Sequence, residues 1–411
     1  LPRGANPPQR WFAGSRTGST ARGMTGLRHD IAIAGAGLAG SLIALALRRM
    51  RPDLSVILVE AAEEAGQGET WHWLDHQLPD GADLLLSTLR KTSWDSGYEV
   101  RFAGLTRRLP GTCHILTPHD LGAALRRELD ARAIRCHARV AALEAGAVML
   151  DSGERIAART VIDCRGFAGG EALSGAWHHT LARHLRLPAP HGLPGPVTID
   201  ASLEQGGSLR FLSVLPLGVD ELLIADHALL PTARPDRRLA SRRIDAYSAS
   251  RGWLDAALLG HEAGCRPVVA AGDFTAWQSS LAMPGVVLAG SRAGLFNPLT
   301  GQSIAAAAAI ALRIAAEAEL PGEQLAALIA GEARRHWTAT APGRRLAGLL
   351  LGSGAGLTAL ERLYAQDEAL IRRFDCAALT RADRLRLACP APGRGGRLRL
   401  ATGAPLGDSA G

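Results

Sequence analysis

Along the chain the spacing of apolar residues changes repeatedly, and each change marks an element. Ile31-Ala-Ile-Ala34 and Leu54-Ser-Val-Ile-Leu-Val59 are short apolar runs of strand length, and between them Leu38 to Leu47 has the spacing of an amphipathic helix. Residues 97 to 117 alternate weakly and suggest a strand pair. Pro118 to Asp130 carries Leu121, Ala124 and Leu125 on one helical face. Arg139–Leu143 and Ala147–Leu150 read as a hairpin before the turn Asp151-Ser-Gly153, and Thr160-Val-Ile-Asp163 as a strand ending in the polar turn Cys164-Arg165-Gly166. Strand-like runs follow at Val197–Leu203, Ser208–Leu215 and Glu221–Asp226, then helical spacing over 236–259. Gly285-Val-Val-Leu is a further strand. An irregular Pro/Gly loop leads from it into an alanine-rich helix starting near Thr300 or Gly301, and from about 315 the pattern is helical.

The first strand-helix-strand unit carries a chemical signature. Gly35-Ala-Gly37-Leu38-Ala39-Gly40 joins strand to helix, and Glu60 closes the second strand. Gly35 permits the tight turn, Gly37 lets the backbone approach a pyrophosphate, and Gly40 lets the helix lie against the sheet, with its N-terminus facing the phosphates. A carboxylate at Glu60 accepts ribose hydroxyls and disfavours a 2′-phosphate, which points to FAD or NAD and away from NADP. The later loop, Arg292 to Ser303 with Pro298, Thr300, Gly301 and Gln302, brings a second helix N-terminus to the same place. Such a terminus offers free N–H groups and partial positive charge, which suits a ring that becomes anionic on reduction.

The order of elements predicts an α/β chain: a Rossmann-like FAD-binding domain with an inserted β-rich substrate domain and a helical C-terminal part. The expected divisions are an N-terminal extension at 1–27, dinucleotide-domain parts at 28–80, 119–185 and 281–320, substrate-domain segments at 81–118 and 186–280, a helical region at 321–389 and a loose tail at 390–411. Met24 stands just before the first strand and is the expected natural start.

Composition narrows the function. The chain has 411 residues, 47% hydrophobic and 21% charged, with a formal charge of +7 carried almost wholly by arginine, since Lys91 is the single lysine. Without a basic run or an aromatic-interleaved basic stripe, nucleic-acid binding is not expected, and an acidic lipid surface suits the charge better. The six cysteines are scattered without metal-ligand spacing, so no metal is expected, and reduced thiols in a cytoplasmic protein are. The first residues lack the apolar core of a signal peptide. No apolar run spans a bilayer; Leu346 to Leu360 comes nearest and is broken by glycine. The oligomeric state is not legible.

From about His29 to Leu387 the chain resembles the bacterial lycopene β-cyclases. The resemblance rests on Thr70-Trp71 with Trp73, Val161-Ile-Asp163-Cys-Arg165-Gly166, Pro190-His-Gly-Leu193 with Asp200-Ala201, Arg210-Phe211 with Leu215-Pro-Leu217, and Arg292-Ala-Gly-Leu-Phe296 with Pro298 and Thr300-Gly301. It implies a flavoprotein that closes the ends of linear lycopene into β-rings, using reduced FAD with NAD(P)H as external reductant, peripheral to the inner membrane. The cofactor would be held by Gly35, Gly37, Leu38, Ala39, Gly40, Glu60, Asp163, Gly166, Arg292, Pro298, Thr300, Gly301, Gln302 and Ser303. The chain departs from the family where Ile224-Ala225-Asp226-His227 replaces Ile-Glu-Asp-Thr, so the glutamate usually assigned as the acid is Ala225; Asn297 and Gln302 also differ from the family's His and Tyr. Asp226 then becomes the first candidate acid, on the opposite face of a strand from Ala225, and His227, on the same face, the second. Trp71 is a candidate to hold the polyene or its cation. The competing readings are a flavin monooxygenase or prenyl reductase of the same fold, and a degenerate homologue that binds flavin or carotenoid without turnover.

Overall fold

In a computed structural model the described residues are 28–205, 209–232, 236–352, 355–388 and 404–406. The expected extension 1–27 and nearly all of the tail lie outside them; within the tail, Ala404–Leu406 forms a short strand along Gly170–Arg186.

Two large sheets organise the chain. In the first, His29–Ala34 lies between Val56–Val59 and Arg155–Asp163, parallel to both, and Val286–Leu288 adds beyond Asp163. Helix Leu38–Met50 covers this sheet because its apolar side, Leu42, Ile43, Leu45 and Leu47, is fully excluded from water. Helix Ile304–Ala316, almost wholly alanine and isoleucine, packs closely on it. The expected hairpin at 139–150 pairs Val140–Glu144 with Ala147–Leu150 at the sheet's edge.

The second sheet has eight strands and is built on Gly170–Arg186, which pairs antiparallel with Glu221–Leu230 on one side and Ala257–Gly272 on the other. Arg210–Pro216, Val197–Asp200 and the hairpin Tyr98–Arg101/Thr106–Leu109 continue it. Three expectations are corrected here. The division at 185/186 falls at the end of Gly170–Arg186, which belongs to the second sheet throughout. The helix expected to run to 259 ends at Ser250, and Ala257–Gly272 is an edge strand. An edge position tolerates Pro267 and the alternating exposed residues that hide the strand period. The alanine-rich helix begins at Ile304, not Thr300 or Gly301, because Asn297 to Gln302 closes its own turn first: the Gly301 amide donates to the Asn297 carbonyl at 2.8 Å, and the Asn297 amide to that of Gln302 at 2.7 Å.

Gly175 sits at a register shift in the long strand, where a Cβ would lie 1.9 Å from the Val268 carbonyl oxygen and 2.9 Å from its carbon. Paired backbone has little room to retreat, so Gly175→Ala is expected to lower stability in urea unfolding by about 2–3 kcal/mol. Gly260→Ala, with nothing within 4 Å of the added carbon, should change it by less than about 0.5 kcal/mol.

Candidate active site

At the first glycine turn, Gly35 has φ of 97°, and a Cβ there would sit 2.7 Å from the Cys164 carbonyl oxygen; a Cβ at Gly40 would sit 1.9 Å from the Gly35 oxygen. Both glycines are demanded by close backbone approach. Gly37 differs: nothing lies within 4 Å of its missing Cβ, which points into a cavity of about 530 Å³. Gly35, Leu38, Ala39, Glu60, Gly166 and Ser303 also line that cavity. Helix Leu38–Met50 has no side-chain cap at its N-terminus, leaving its first amides available there, as an anion-binding helix requires. Glu60 accepts from the Ala36 amide at 2.7 Å and the Ala62 amide at 2.9 Å, so it braces the turn as well as lining the cavity. Arg139, at the opening of an edge strand, completes the wall. Its spacing in the sequence carries no signal for such a role.

Asp163, fully buried, sits behind this cavity and accepts from Arg165 at 2.8 and 2.9 Å and from Arg292 at 3.1 Å. Burial pushes its carboxyl up, but the Arg165 hydrogen bonds and the charges of Arg165 and Arg292 outweigh it and hold the group below the usual carboxylate range. Asp163 and Arg292 thus form a clamp that ties the strand Arg155–Asp163 to the later loop. Pro298, Gln302 and Ile304 line a second cavity of about 370 Å³ beyond that loop, at the N-terminus of helix Ile304–Ala316, which also lacks a side-chain cap. These two open, amide-lined spaces fit a dinucleotide with a ring system at one end.

The second sheet presents its front face to the loop 297–303. Strand alternation places Ser213, Ala225, His227, His178, Thr180 and Arg266 on that face. Three hydrogen bonds fix the tautomers in order. His178 Nδ1–H donates to the Thr300 carbonyl at 3.0 Å, His227 Nδ1–H donates to His178 Nε2 at 3.0 Å, and the Ser213 hydroxyl donates to His227 Nε2 at 2.8 Å. The Phe211 ring stacks on His227 with centroids 4.4 Å apart. Gln302 Nε2 donates to His72 Nε2 at 3.1 Å, and Arg266 donates to Thr180 at 3.2 Å and pairs with Glu69 at 3.4 Å. Burial first, then the Arg266 charge, pushes His72 down to about 4 and His178 down to about 3. Burial and the neighbouring His178 push His227 well below its usual value. All three rings are neutral.

Of the expected catalytic residues, His227 lies on this face. Asp226 does not. It points to the back of the sheet under helix Arg237–Ser250, 3.5 Å from Arg243, and burial raises its carboxyl to about 6 against the pull of Arg243 and Arg210. With Leu181 opposite and no bulge at this position, the strand keeps its period, and Asp226 is displaced from the site by a full sheet thickness. Trp71 is corrected for the same reason. Thr70 and His72 turn toward the sheet, whereas Trp71 and Trp73 turn into the core beneath helices Leu38–Met50 and Ile304–Ala316. Around Ala225 the face is apolar, built of Ile115, Ala182, Leu215 and Leu223 with Trp94.

This fold is that of the Rossmann-type FAD-dependent oxidoreductases. The chain superimposes on a geranylgeranyl bacteriochlorophyll reductase-like protein from Thermoplasma acidophilum with a TM-score of 0.60 at 14% identity, covering 88% of this chain and 95% of that one. A flavin-dependent halogenase from Xanthomonas campestris gives 0.54 at 17% identity, over 88% and 82%. The family model described as lycopene cyclase protein matches residues 30–398, and the chain belongs to that family. It is 37% identical over 287 residues to a lycopene beta-cyclase of Pseudescherichia vulneris, 70% of this chain and 73% of that protein. To one of Pantoea ananas it is 33% identical over 363 residues, 87% and 94%.

The neutral histidines set a pH dependence. As pH falls from 6.5 toward about 4 for His72 and about 3 for His178, the unfolded chain takes up protons that the folded chain refuses. Stability therefore drops with falling pH, by up to about 1.4 kcal/mol per pH unit for each histidine, and is level above that window. Urea unfolding across this range should show the slope, and His178→Gln should flatten it by one histidine's share.

Proposed function

We infer that the chain is an FAD-dependent lycopene β-cyclase, converting the linear ends of lycopene to β-rings without net oxidation or reduction. The observation that carries this reading is the pairing of a dinucleotide cradle with an apolar, water-excluding sheet face in a chain that belongs to the lycopene cyclase family. Gly35, Gly37, Leu38, Ala39, Gly40, Glu60 and Gly166 would hold the adenosine diphosphate part, with Asp163 and Arg292 bracing it. Pro298, Thr300, Gly301, Gln302 and Ser303 would seat the ring system. When bound and reduced by NAD(P)H, the flavin supplies fixed negative charge beside the site.

The reaction asks the protein for an acid, a dry cavity and no competing positive charge. Ile115, Leu215, Leu223 and Trp94 exclude water around Ala225. The hydrogen-bonded order from Ser213 to Thr300 keeps His227 and His178 neutral, so they add no charge to repel a carbocation. Arg266 is the cation of this face, and Glu69 offsets it.

Among the described residues no helix is long and apolar enough to cross a membrane. Leu254, Leu258 and Leu259 stand exposed beside the arginine-rich helix Arg237–Ser250, a combination suited to peripheral contact with an anionic leaflet, where a lycopene-like substrate dissolves.

Expressed in cells that accumulate lycopene, the protein should turn red pigment orange-yellow with new β-rings. Unchanged lycopene would favour the degenerate homologue, for which Ala225 is the motivating residue, and oxygenated or saturated products a monooxygenase or reductase. Gly37→Val, whose side chain enters only open cavity, should leave thermal unfolding unchanged yet weaken flavin binding by more than about tenfold, or about 1.4 kcal/mol, in titrations of flavin fluorescence.

A further inference from the structure

Protonating an alkene needs a stronger acid than a neutral imidazole, and His227 and His178 are held neutral with their N–H groups committed. Other buried acids fail on position or pairing. Asp226 is on the back face against Arg243, Asp200 is held by Arg101, Arg251 and Tyr247, and Asp375 is bonded to His76 at 3.2 Å beside the second cavity. Among the described residues, one carboxyl on the front face forms no ion pair.

That carboxyl is Glu262. In the sheet register Glu262 is opposite Ala182, and Ala182 is opposite Ala225, so the three share one row on one face. Neighbouring strands are about 4.8 Å apart, which puts Glu262 about 10 Å from Ala225 across a small residue. Thr70 holds it from above, with its amide donating at 2.7 Å and its hydroxyl at 2.7 Å to the other oxygen. The hydroxyl can reverse, so the same geometry accepts the protonated acid. Glu69 lies flat over Gly264, where a Cβ would fall 1.7 Å from its carboxyl oxygen, between Glu262 and Arg266. Glu69 takes the Arg266 charge at 3.4 Å and leaves Glu262 without one. Burial, aided by the Glu69 charge, pushes the Glu262 carboxyl up, while the Thr70 hydrogen bonds and, less, the charge of His184 draw it down. Two neighbouring carboxyls are thereby separated into an ion-paired one and an acidic one, the division that acid–base sites use.

We propose that Glu262 is the proton donor of this chain, acting on a substrate end bound against the row of small side chains Ala182 and Ala225. This rests on the cyclase reading. The Glu262 O–H proton passes to the inner carbon of the terminal alkene, whose π pair forms the new C–H bond and leaves a tertiary cation on the dimethyl-bearing carbon. The adjacent double bond supplies its pair to close the ring, and the resulting cation loses a neighbouring proton to restore a C=C. The Glu262 carboxylate can take that proton back, so atoms and electrons balance and no oxidant is consumed.

The test compares lycopene cyclisation by the purified, flavin-loaded chain with that of two variants, over pH. Glu262→Gln keeps the shape and the Thr70 hydroxyl contact, and should lose at least about 100-fold in rate with flavin binding unchanged. The parent's rate should fall as pH rises through the Glu262 titration. Thr70→Val removes a bond that favours the carboxylate, so this alkaline limb should move to higher pH, a shift that a purely structural Thr70–Glu262 contact would not produce. If Glu262→Gln cyclises at the parent rate, or the limb stays fixed in Thr70→Val, the assignment is overturned while the cyclase reading stands. If the parent forms no rings, both are overturned.

Discussion

The constraint on which the active-site region depends is that a side chain in a β-strand must choose one of two faces. Gly170–Arg186 pairs with long strands on both sides, so its period is imposed across three strands at once. Moving one residue of Glu221–Leu230 to the other face would require a slip that also moves His227 away from His178 and breaks the pairing to Arg210–Pro216. On the back face Asp200 takes Tyr247, Arg101 and Arg251, and Arg183 pairs with Asp245, against helix Arg237–Ser250, while Asp226 Oδ1 and Arg210 Nε are buried there without a hydrogen-bond partner. The hydrogen-bonded histidines His178 and His227 stand on the front.

On that front face the electrostatics are arranged by burial more than by pairing. Three imidazoles are kept neutral because charging them would cost solvation and meet the Arg266 cation. The Thr300 carbonyl at the end of this order belongs to the loop that turns into helix Ile304–Ala316, so the tautomers on the second sheet are set from that loop. The Asp163 clamp does the complementary task. By holding Arg165 and Arg292 together it fixes that loop to the first sheet.

Much of this was legible in the chain. Gly35 and Gly40 announce their places because close backbone approach leaves few other residues possible, and Gly37 and Glu60 complete the spacing of the motif. The opposite faces of Asp226 and His227 follow from period two alone. The long strands were not legible. Gly170–Arg186 and Ala257–Gly272 are far longer than an ordinary strand, and they mix histidine, arginine, glycine and proline because each face meets a different environment along its length. Trp71 and Trp73 drew attention as aromatics, while the residues between and before them, His72 and Thr70, are the ones turned to the site. Arg266 and Glu262 gave no signal, since a charged residue on an edge strand ordinarily faces water.

The most direct test of this account is a crystal structure of the protein with flavin and an acyclic carotenoid bound. The account places the end of the polyene on the front face, over Ala182 and Ala225 and between His227 and Glu262, with the flavin ring system against Pro298 to Ser303. A polyene lodged instead on the back face beside Asp226 and Arg243, or a flavin seated away from the 297–303 loop, would contradict it.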